Sequence, residues 1–381
     1  MAYTERYVRA DAAGGGDGTT NTNSGANGAW TLAEAIAITT DGLRRNIRSG
    51  TYTLAASITL SSGAAESPDL WQGFASTPGD LENLGRTSAT GPLDTTGFPV
   101  IDCVASYGIT LGAHCTLANV KVTGSRASAS GLVTSGGVAG SLRGCLVSNT
   151  GSGGANCGVM LGNIYGSMYD CDISVASTAS TLIAVDIGRG TAYGCRVWHT
   201  GSPHASSKAF DCADFGSVVE RSIVMNFGVA FLLGDNSSNI SHNSIYSCVD
   251  GVSLGNNASL IYGNVFDTIT GYLFKGVTSS GNPQLILNAS TTPTSGRIDT
   301  TGAGTIITEV GGISLSGSPF TDAAGGDFTL NNTAGAGADC RAASQLWGGY
   351  ADLGAVQTQA SASGGSALHL GSLGQTGIGA F

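Results

Sequence analysis

The sequence repeats itself every 21 to 27 residues, and this period limits the possible folds more than any other feature. One column of the repeat holds small or polar residues: Val120, Cys145, Cys171, Cys195, Ser222, Asn243 and Asn264. Each has an apolar residue or alanine three positions earlier, and Val, Ile or Phe two positions later. A period of this length is typical of a solenoid, in which each repeat forms one turn and stacked turns bury a common core.

A second column precedes the first by 11 to 14 residues and consists of Gly108, Gly131, Gly158, Ala184, Ala209, Ala230 and Gly251. Each begins a short run with alternating apolar positions, and no repeat carries the 3.6-residue pattern of an amphipathic helix. The repeat therefore predicts two short strands per turn of a parallel β-coil. Like residues then stack about 4.8 Å apart, so we expect an inward ladder of Cys145, Cys171 and Cys195, continued by Asn243 and Asn264.

The composition agrees with a turn-rich β protein and excludes several classes of partner. Glycine provides 60 of 381 residues and proline only 8, which fits many tight turns and excludes collagen. A net charge of −10 argues against nucleic acid, and no apolar run reaches the ~20 residues of a membrane span. The charged N-terminus predicts that the chain is made in the cytoplasm without a signal peptide. Nine cysteines without CxxC pairs predict buried thiols, with no metal and no cofactor.

Residues 28 to 357 resemble the right-handed parallel β-helix proteins of the pectate-lyase-like superfamily. Ala29–Ile36 is similar to the short helix that covers the first coil in that group, and Ile47–Leu54 is similar to its first strand. The resemblance implies an all-β, right-handed parallel β-helix with a short N-terminal capping helix. The opening Tyr7–Asp11, followed by a glycine-rich stretch, resembles phage-encoded β-helix proteins, which implies self-association as a trimer and contact with other virion proteins.

The chain divides into three predicted parts. Residues 1–45 form a lead-in and the capping helix, residues 46–357 form the β-helix, and residues 358–381 form a flexible Gly/Ser-rich tail. An insertion at 61–98 interrupts the coils and predicts a binding lip or a subunit contact through Trp71 and Phe74. The terminal Phe381 is a candidate anchor for ordering the tail against a partner.

Two pairs of carboxylates are alternative catalytic candidates. Asp211 and Asp214 lie near His204 and Lys208, whereas Asp170 and Asp172 flank Cys171 on what we predict to be one strand. Asp172 also shares a column with Arg196, so a stacked ion pair that only stabilises the sheet is the simpler interpretation. Polygalacturonase-like relatives would be expected to carry four motifs, and none of them is present: Asn-Thr-Asp, Asp-Asp, Gly-His-Gly and Arg-x-Lys.

Tyr169, Tyr193 and Tyr262 share one outward column, which could stack on sugar rings or lie in a protein interface, and we favour the interface. The sequence therefore predicts a structural protein of a phage virion without enzymatic activity, located on the capsid or in a short tail or fibre. The alternatives are a tailspike-like polysaccharide depolymerase, either hydrolase or lyase, and a module that binds a surface glycan without cleaving it.

Overall fold

The protein is a β-solenoid of three parallel sheets. The computed structural model describes residues 3–60, 63–82, 86–87, 91–104, 107–126, 131–152, 156–161, 165–212, 214, 216–234, 237–255, 258–276, 283–299, 309–341, 343 and 353–355. In these residues the three sheets contain 12, 11 and 10 strands, which confirms the all-β, parallel fold class. Each turn, here called a coil, contributes one strand to each sheet, whereas the sequence predicted two strands per repeat.

Sheet A runs along one side of the solenoid. Its strands are β1 (Thr4–Val8), β2 (Leu43–Arg48), β5 (Asp69–Phe74), β8 (Cys115–Ala118), β11 (Ser141–Arg143), β14 (Ser167–Tyr169), β17 (Thr191–Tyr193), β20 (Val218–Glu220), β23 (Asn239–Ser241), β26 (Leu260–Tyr262), β29 (Gln284–Ile286) and β32 (Glu309–Val310).

Sheet B follows sheet A after a sharp bend in each coil. Its strands are β3 (Thr51–Thr53), β6 (Val100–Cys103), β9 (Lys121–Gly124), β12 (Leu146–Asn149), β15 (Asp172–Val175), β18 (Arg196–His199), β21 (Ile223–Met225), β24 (Ser244–Tyr246), β27 (Val265–Asp267), β30 (Ala289–Thr291) and β33 (Ile313–Leu315).

Sheet C completes each coil. Its strands are β4 (Ile58–Leu60), β7 (Ile109–Leu111), β10 (Val133–Ser135), β13 (Asn156–Met160), β16 (Ile183–Asp186), β19 (Lys208–Cys212), β22 (Val229–Leu233), β25 (Asp250–Leu254), β28 (Tyr272–Gly276) and β31 (Gly296–Asp299).

The predicted ladder lies inside the bend between sheets A and B. The register of β12, β15 and β18 stacks Cys145, Cys171 and Cys195, and all three thiols are buried. Burial raises the pKa of the Cys171 and Cys195 thiols well above the ordinary value, so both remain protonated. These thiols therefore act as small apolar fillers of the interior.

Asparagines continue the same ladder toward the C-terminus. The side-chain amide of Asn243 donates to Oδ1 of Asn264 at 3.0 Å, and the amide of Asn264 donates to Oδ1 of Asn288 at 3.0 Å. Each Oδ1 also accepts the backbone N–H of the preceding ladder residue. Stacking thus satisfies the buried amides, and the ladder is one coil longer than the sequence predicted.

A left-handed residue immediately before each ladder position makes the bend. Asn119, Gly144, Asp170 and Gly194 occupy this position in successive coils with φ between 53° and 66°. A Cβ at Gly144 would lie 2.6 Å from Oδ1 of Asn119, and one at Gly194 would lie 2.5 Å from Oδ1 of Asp170. Glycine at these two bends therefore leaves room for the polar side chain of the preceding coil.

The N-terminal helix α1 (Leu32–Ala37) falls within the predicted capping segment. Thr31 and Glu34 form a capping box, in which each side chain accepts the other residue's backbone N–H. Ala35 on this helix is buried in the main core, so the helix packs against the coils. In the described part of the chain, no helix is long and apolar enough to span a bilayer.

The structure corrects the predicted role of Trp71 and Phe74. Both belong to β5, a strand of sheet A, rather than to an insertion, and both side chains are 0% exposed. The Arg45 guanidinium covers the Trp71 ring at 4.7 Å and pairs with the buried Asp69 at 2.7 Å. Neither aromatic side chain is available to a partner, and the excursion from the coils begins only after β5.

The C-terminal segment folds back over the outer face of sheet B. The antiparallel hairpin of β34 (Phe320–Asp322) and β35 (Asp327–Leu330), the helix α2 (Gly337–Cys340) and residues 353–355 form a second apolar cluster with Ile223 and Val265. Backbone N–H of Ala355 donates to Oγ of Ser244 at 3.0 Å. The predicted tail at 358–381, including Phe381, lies outside the described residues.

Candidate functional site

Two carboxylates stack on the outer face of sheet C. Asp186 on β16 and Asp211 on β19 are register partners, so their Cα atoms lie about 4.8 Å apart. Lys208 on the same strand places its Nζ 3.5 Å from Oδ2 of Asp211, and Asp214 follows three residues later as an exposed side chain. The cluster therefore combines three carboxylates with one ammonium group.

The two stacked carboxyl groups, Asp186 and Asp211, have different neighbouring charges and hydrogen-bond partners. Burial raises the pKa of Asp186, and the nearby negative charges of Asp211 and Asp214 raise it further. The backbone N–H of Gly188 donates to Oδ1 of Asp186 at 3.1 Å and fixes the side chain. Asp211 instead has the Lys208 ammonium beside it, which stabilises its ionised form. The pair therefore places a carboxyl group whose pKa is raised next to a carboxylate that forms an ion pair with Lys208.

Such a pair can act as a general acid and a general base or nucleophile. Among the described residues, no group of three or more His, Cys, Asp or Glu side chains is arranged to hold a metal ion. The two carboxyl groups can transfer protons, and a carboxylate can attack a carbon atom itself or activate a water molecule to do so.

The structure does not place the other predicted carboxylate pair, Asp170 and Asp172, on one strand face. Asp170 lies in the left-handed bend, and Asp172 begins β15 on the far side of that bend, so the two do not share the strand face that the sequence suggested. Asp172 is 1% exposed. Its carboxylate accepts from Arg86 at 2.6 Å and from the backbone N–H of Leu93 at 2.8 Å. Asp172 therefore anchors the segment that follows β5.

Arg196 is the register partner of Asp172, as the sequence predicted. Its guanidinium also lies 5.4 Å from the centre of the Trp198 ring. Arg86, which the sequence did not single out, contacts the same region and donates to the carbonyl of Gly194 at 2.8 Å. Asp172 thus joins sheet B to Arg86, which lies 86 positions earlier in the chain.

The three tyrosines share one column of sheet A but do not form a continuous stripe. Tyr169 and Tyr193 are register partners, whereas Glu220 and Ser241 separate them from Tyr262. Tyr169 is 38% exposed. The hydroxyl of Tyr193 accepts from Arg221 at 2.7 Å, and Tyr262 packs edge-to-face on His242 at 4.8 Å.

Asp186 is the functional candidate that the sequence reasoning missed, although the signal was present. The second repeat column contains Ala184-Val-Asp-Ile and Ala209-Phe-Asp-Cys, and aligning these runs places Asp186 directly on Asp211.

His204 lies in a turn, where its Nδ1 accepts the N–H of Ser206 at 3.0 Å.

Comparison with known proteins identifies the fold. No protein-family model matches the chain, and no curated protein matches it. A solved structure, "Crystal structure of pectate lyase Pel9A", is similar with a TM-score of 0.59 and 14% identity, over 94% of this chain and 98% of that one. A second, "Rhamnogalacturonan lyase", covers 77% of this chain and 74% of its own, with 12% identity and a TM-score of 0.35, too low to carry an argument.

The first comparison establishes a right-handed parallel β-helix with a pectate-lyase-like fold. It also overturns the expectation that the chain is not an enzyme. That expectation treated the β-helix as an inert scaffold, whereas a solved structure with this fold is that of a lyase. At 14% identity the likeness carries over the fold alone, so any chemistry must be argued from this chain's own residues.

Proposed function

We propose that this protein is a polysaccharide-cleaving enzyme whose catalytic residues are Asp186 and Asp211 on the outer face of sheet C. The observation that carries the proposal is the stacking of two carboxyl groups whose environments differ: burial and neighbouring negative charge raise the pKa of Asp186, and Lys208 stabilises Asp211 as the carboxylate. Two carboxyl groups with divided roles are what cleavage of a glycosidic bond by hydrolysis requires.

Asp186 is the general acid in this mechanism. It donates its proton to the glycosidic oxygen as the bond from that oxygen to the anomeric carbon breaks. Asp211 removes a proton from a water molecule whose oxygen bonds to the anomeric carbon, or attacks that carbon itself before water releases the sugar. Either route consumes one water for each bond broken. In the covalent route Asp186 regains its proton by deprotonating the water that releases the sugar, whereas direct attack by water leaves the proton on Asp211, from which it exchanges through solvent before the next turnover. Asp214 adds negative charge that stabilises the cationic sugar in the transition state.

The test is release of new reducing ends from a panel of bacterial surface polysaccharides and plant glycans. Asp186→Asn and Asp211→Asn should each lower kcat by about 10²–10⁴-fold. Asp170→Asn is the matched control, because Asp170 is exposed on another side of the coil and asparagine tolerates its left-handed backbone. Full activity of either catalytic variant, or equal loss in the control, would contradict the assignment.

A place in a virion and assembly into a trimer remain proposals compatible with this activity. Mass spectrometry of purified phage particles and light scattering of the purified protein test them separately. The non-cleaving glycan-binding alternative predicts binding without product, and binding that weakens on Tyr169→Ala.

A further inference from the structure

A second group of polar side chains occupies the outer face of sheet C, further along the helix axis. Asp211 stacks on Leu232, Leu232 on Ser253 and Ser253 on Lys275. Three steps of strand spacing separate Asp211 from Lys275, or about 14 Å between Cα atoms. That span suits several units of an extended sugar chain lying along the axis.

The side chain of Lys275 is held in place by Asp250. Nζ of Lys275 lies 2.8 Å from Oδ2 of Asp250, and the backbone N–H of Tyr272 donates to Oδ1 of Asp250 at 2.9 Å. The Asp250 side chain is 5% exposed, whereas that of Lys275 is 45% exposed. The buried Asp250 carboxylate thus holds the Lys275 ammonium group in place, and the ammonium group still presents N–H donors to solvent.

An aromatic ring lies beside this ammonium group. Tyr272 is half-buried, and its register partner on the next coil is Gly296. A Cβ at Gly296 would lie 3.9 Å from Cε1 of Tyr272, so a larger side chain there would cover the ring. Gly296 itself places no side chain against the ring, and the face of an aromatic ring packs well on an apolar sugar face.

The floor between the two polar groups is largely apolar. The half-buried Val229 and Leu232 of β22 form the coil next to Asp211, followed by the nearly buried Ser253. Sugar rings present C–H faces to such a floor and hydroxyl groups to its polar ends. The surface from Asp211 to Lys275 is therefore suited to one chain bound along the axis.

The charges on this face disfavour an acidic polysaccharide. Besides Asp186, the protonated acid of the proposed mechanism, the outward carboxylates of this face are Asp211, Asp214, Asp250 and Asp299. Its two lysines, Lys208 and Lys275, are already paired with two of them, and Arg189 on the adjoining turn leaves the carboxylates in excess. A polyanion would be repelled, since like charges lining one surface oppose association.

We propose that Tyr272 and Lys275 form a distal subsite for an uncharged polysaccharide, whose chain runs along sheet C to the cleaving pair. The inference rests on the proposed function for the direction of the chain and the position of the bond that is cut. Lys275 donates hydrogen bonds to sugar hydroxyl groups, Tyr272 packs on a ring face, and Asp250 acts as a positioning residue for both.

Affinity electrophoresis in gels containing dextran, galactomannan or polygalacturonate tests the subsite without requiring cleavage. We expect retardation by a neutral polysaccharide and not by polygalacturonate. Tyr272→Leu and the double variant Asp250→Asn/Lys275→Met should each weaken retardation about tenfold, as expected for loss of one buried contact. The double variant leaves no buried carboxylate without its cation, and Lys121→Met on sheet B is the matched control.

The outcomes separate this inference from the proposed function. Retardation by a neutral polysaccharide that survives Asp211→Asn, in a protein that releases no product, would support the subsite and contradict the enzyme. Product release from polygalacturonate, with rates unaffected by the double variant, would support the enzyme and overturn the subsite. Equal retardation of the double variant and Lys121→Met by every probe would also overturn it.

Discussion

Replacing Asn264 by leucine should be among the most destabilising single substitutions in this protein. Asn264 is fully buried, and its Oδ1 accepts both the backbone N–H of Asn243 at 2.9 Å and the Asn243 side-chain amide at 3.0 Å. Its own amide donates to the carbonyl of Ile240 at 2.9 Å. Leucine has a similar volume, so the substitution removes these hydrogen bonds and leaves little cavity.

Each buried polar group that loses its partner costs about 1–3 kcal/mol, so three such groups lower the free energy of unfolding by about 3–9 kcal/mol. That is a large share of the ~5–15 kcal/mol of a typical domain. Cys171→Ala is the matched control in the same ladder, because it removes one sulfur atom for about 1 kcal/mol. Equilibrium unfolding in guanidinium chloride, followed by circular dichroism, measures both. Equal losses in the two variants would refute the hydrogen-bonded ladder.

Two further predictions concern single buried groups. Burial and the positive charge of Arg221 lower the pKa of His242 to about 4. As the pH drops from about 6.5 to 4, the unfolded chain binds a proton at this histidine before the folded protein does, so stability should fall. Thermal unfolding of His242→Asn should lack this pH dependence, and asparagine suits the left-handed backbone at this position. Arg86→Ala leaves the buried Asp172 carboxylate without its cation and should lower the free energy of unfolding by about 3–5 kcal/mol. The double variant Arg86→Ala/Asp172→Asn should lower it clearly less. Equal losses for the two variants in denaturant titrations would contradict the ion pair.

The sequence predicted the solenoid because the property that stabilises it is itself periodic. Cys145, Cys171 and Cys195 recur at nearly constant spacing since each must stack on the one before, and the same rule extends to Asn243 and Asn264. The third strand of each coil escaped notice because sheets A and B are joined by a single left-handed residue, which leaves no turn signature of several residues.

Features that break the period were harder to predict. Trp71 stacks on Leu117, which lies 46 residues later in the chain. The excursion after β5 lengthens this coil and hides the repeat, and the prolines around Trp71 suggested a loop. The contact of Arg86 with Asp172 joins a segment without periodic pattern to the middle of the solenoid. Asp186 and Asp211 could have been paired by aligning the second column, but their different electrostatic environments depend on burial that only the folded chain defines.

Mass spectrometry of the cleaved sugar, with the reaction run in water labelled with heavy oxygen, tests the central claim most directly. Action by Asp186 and Asp211 predicts that each new reducing end carries one labelled oxygen. Products that are unsaturated and free of label would show cleavage by elimination, and would contradict hydrolysis at this pair.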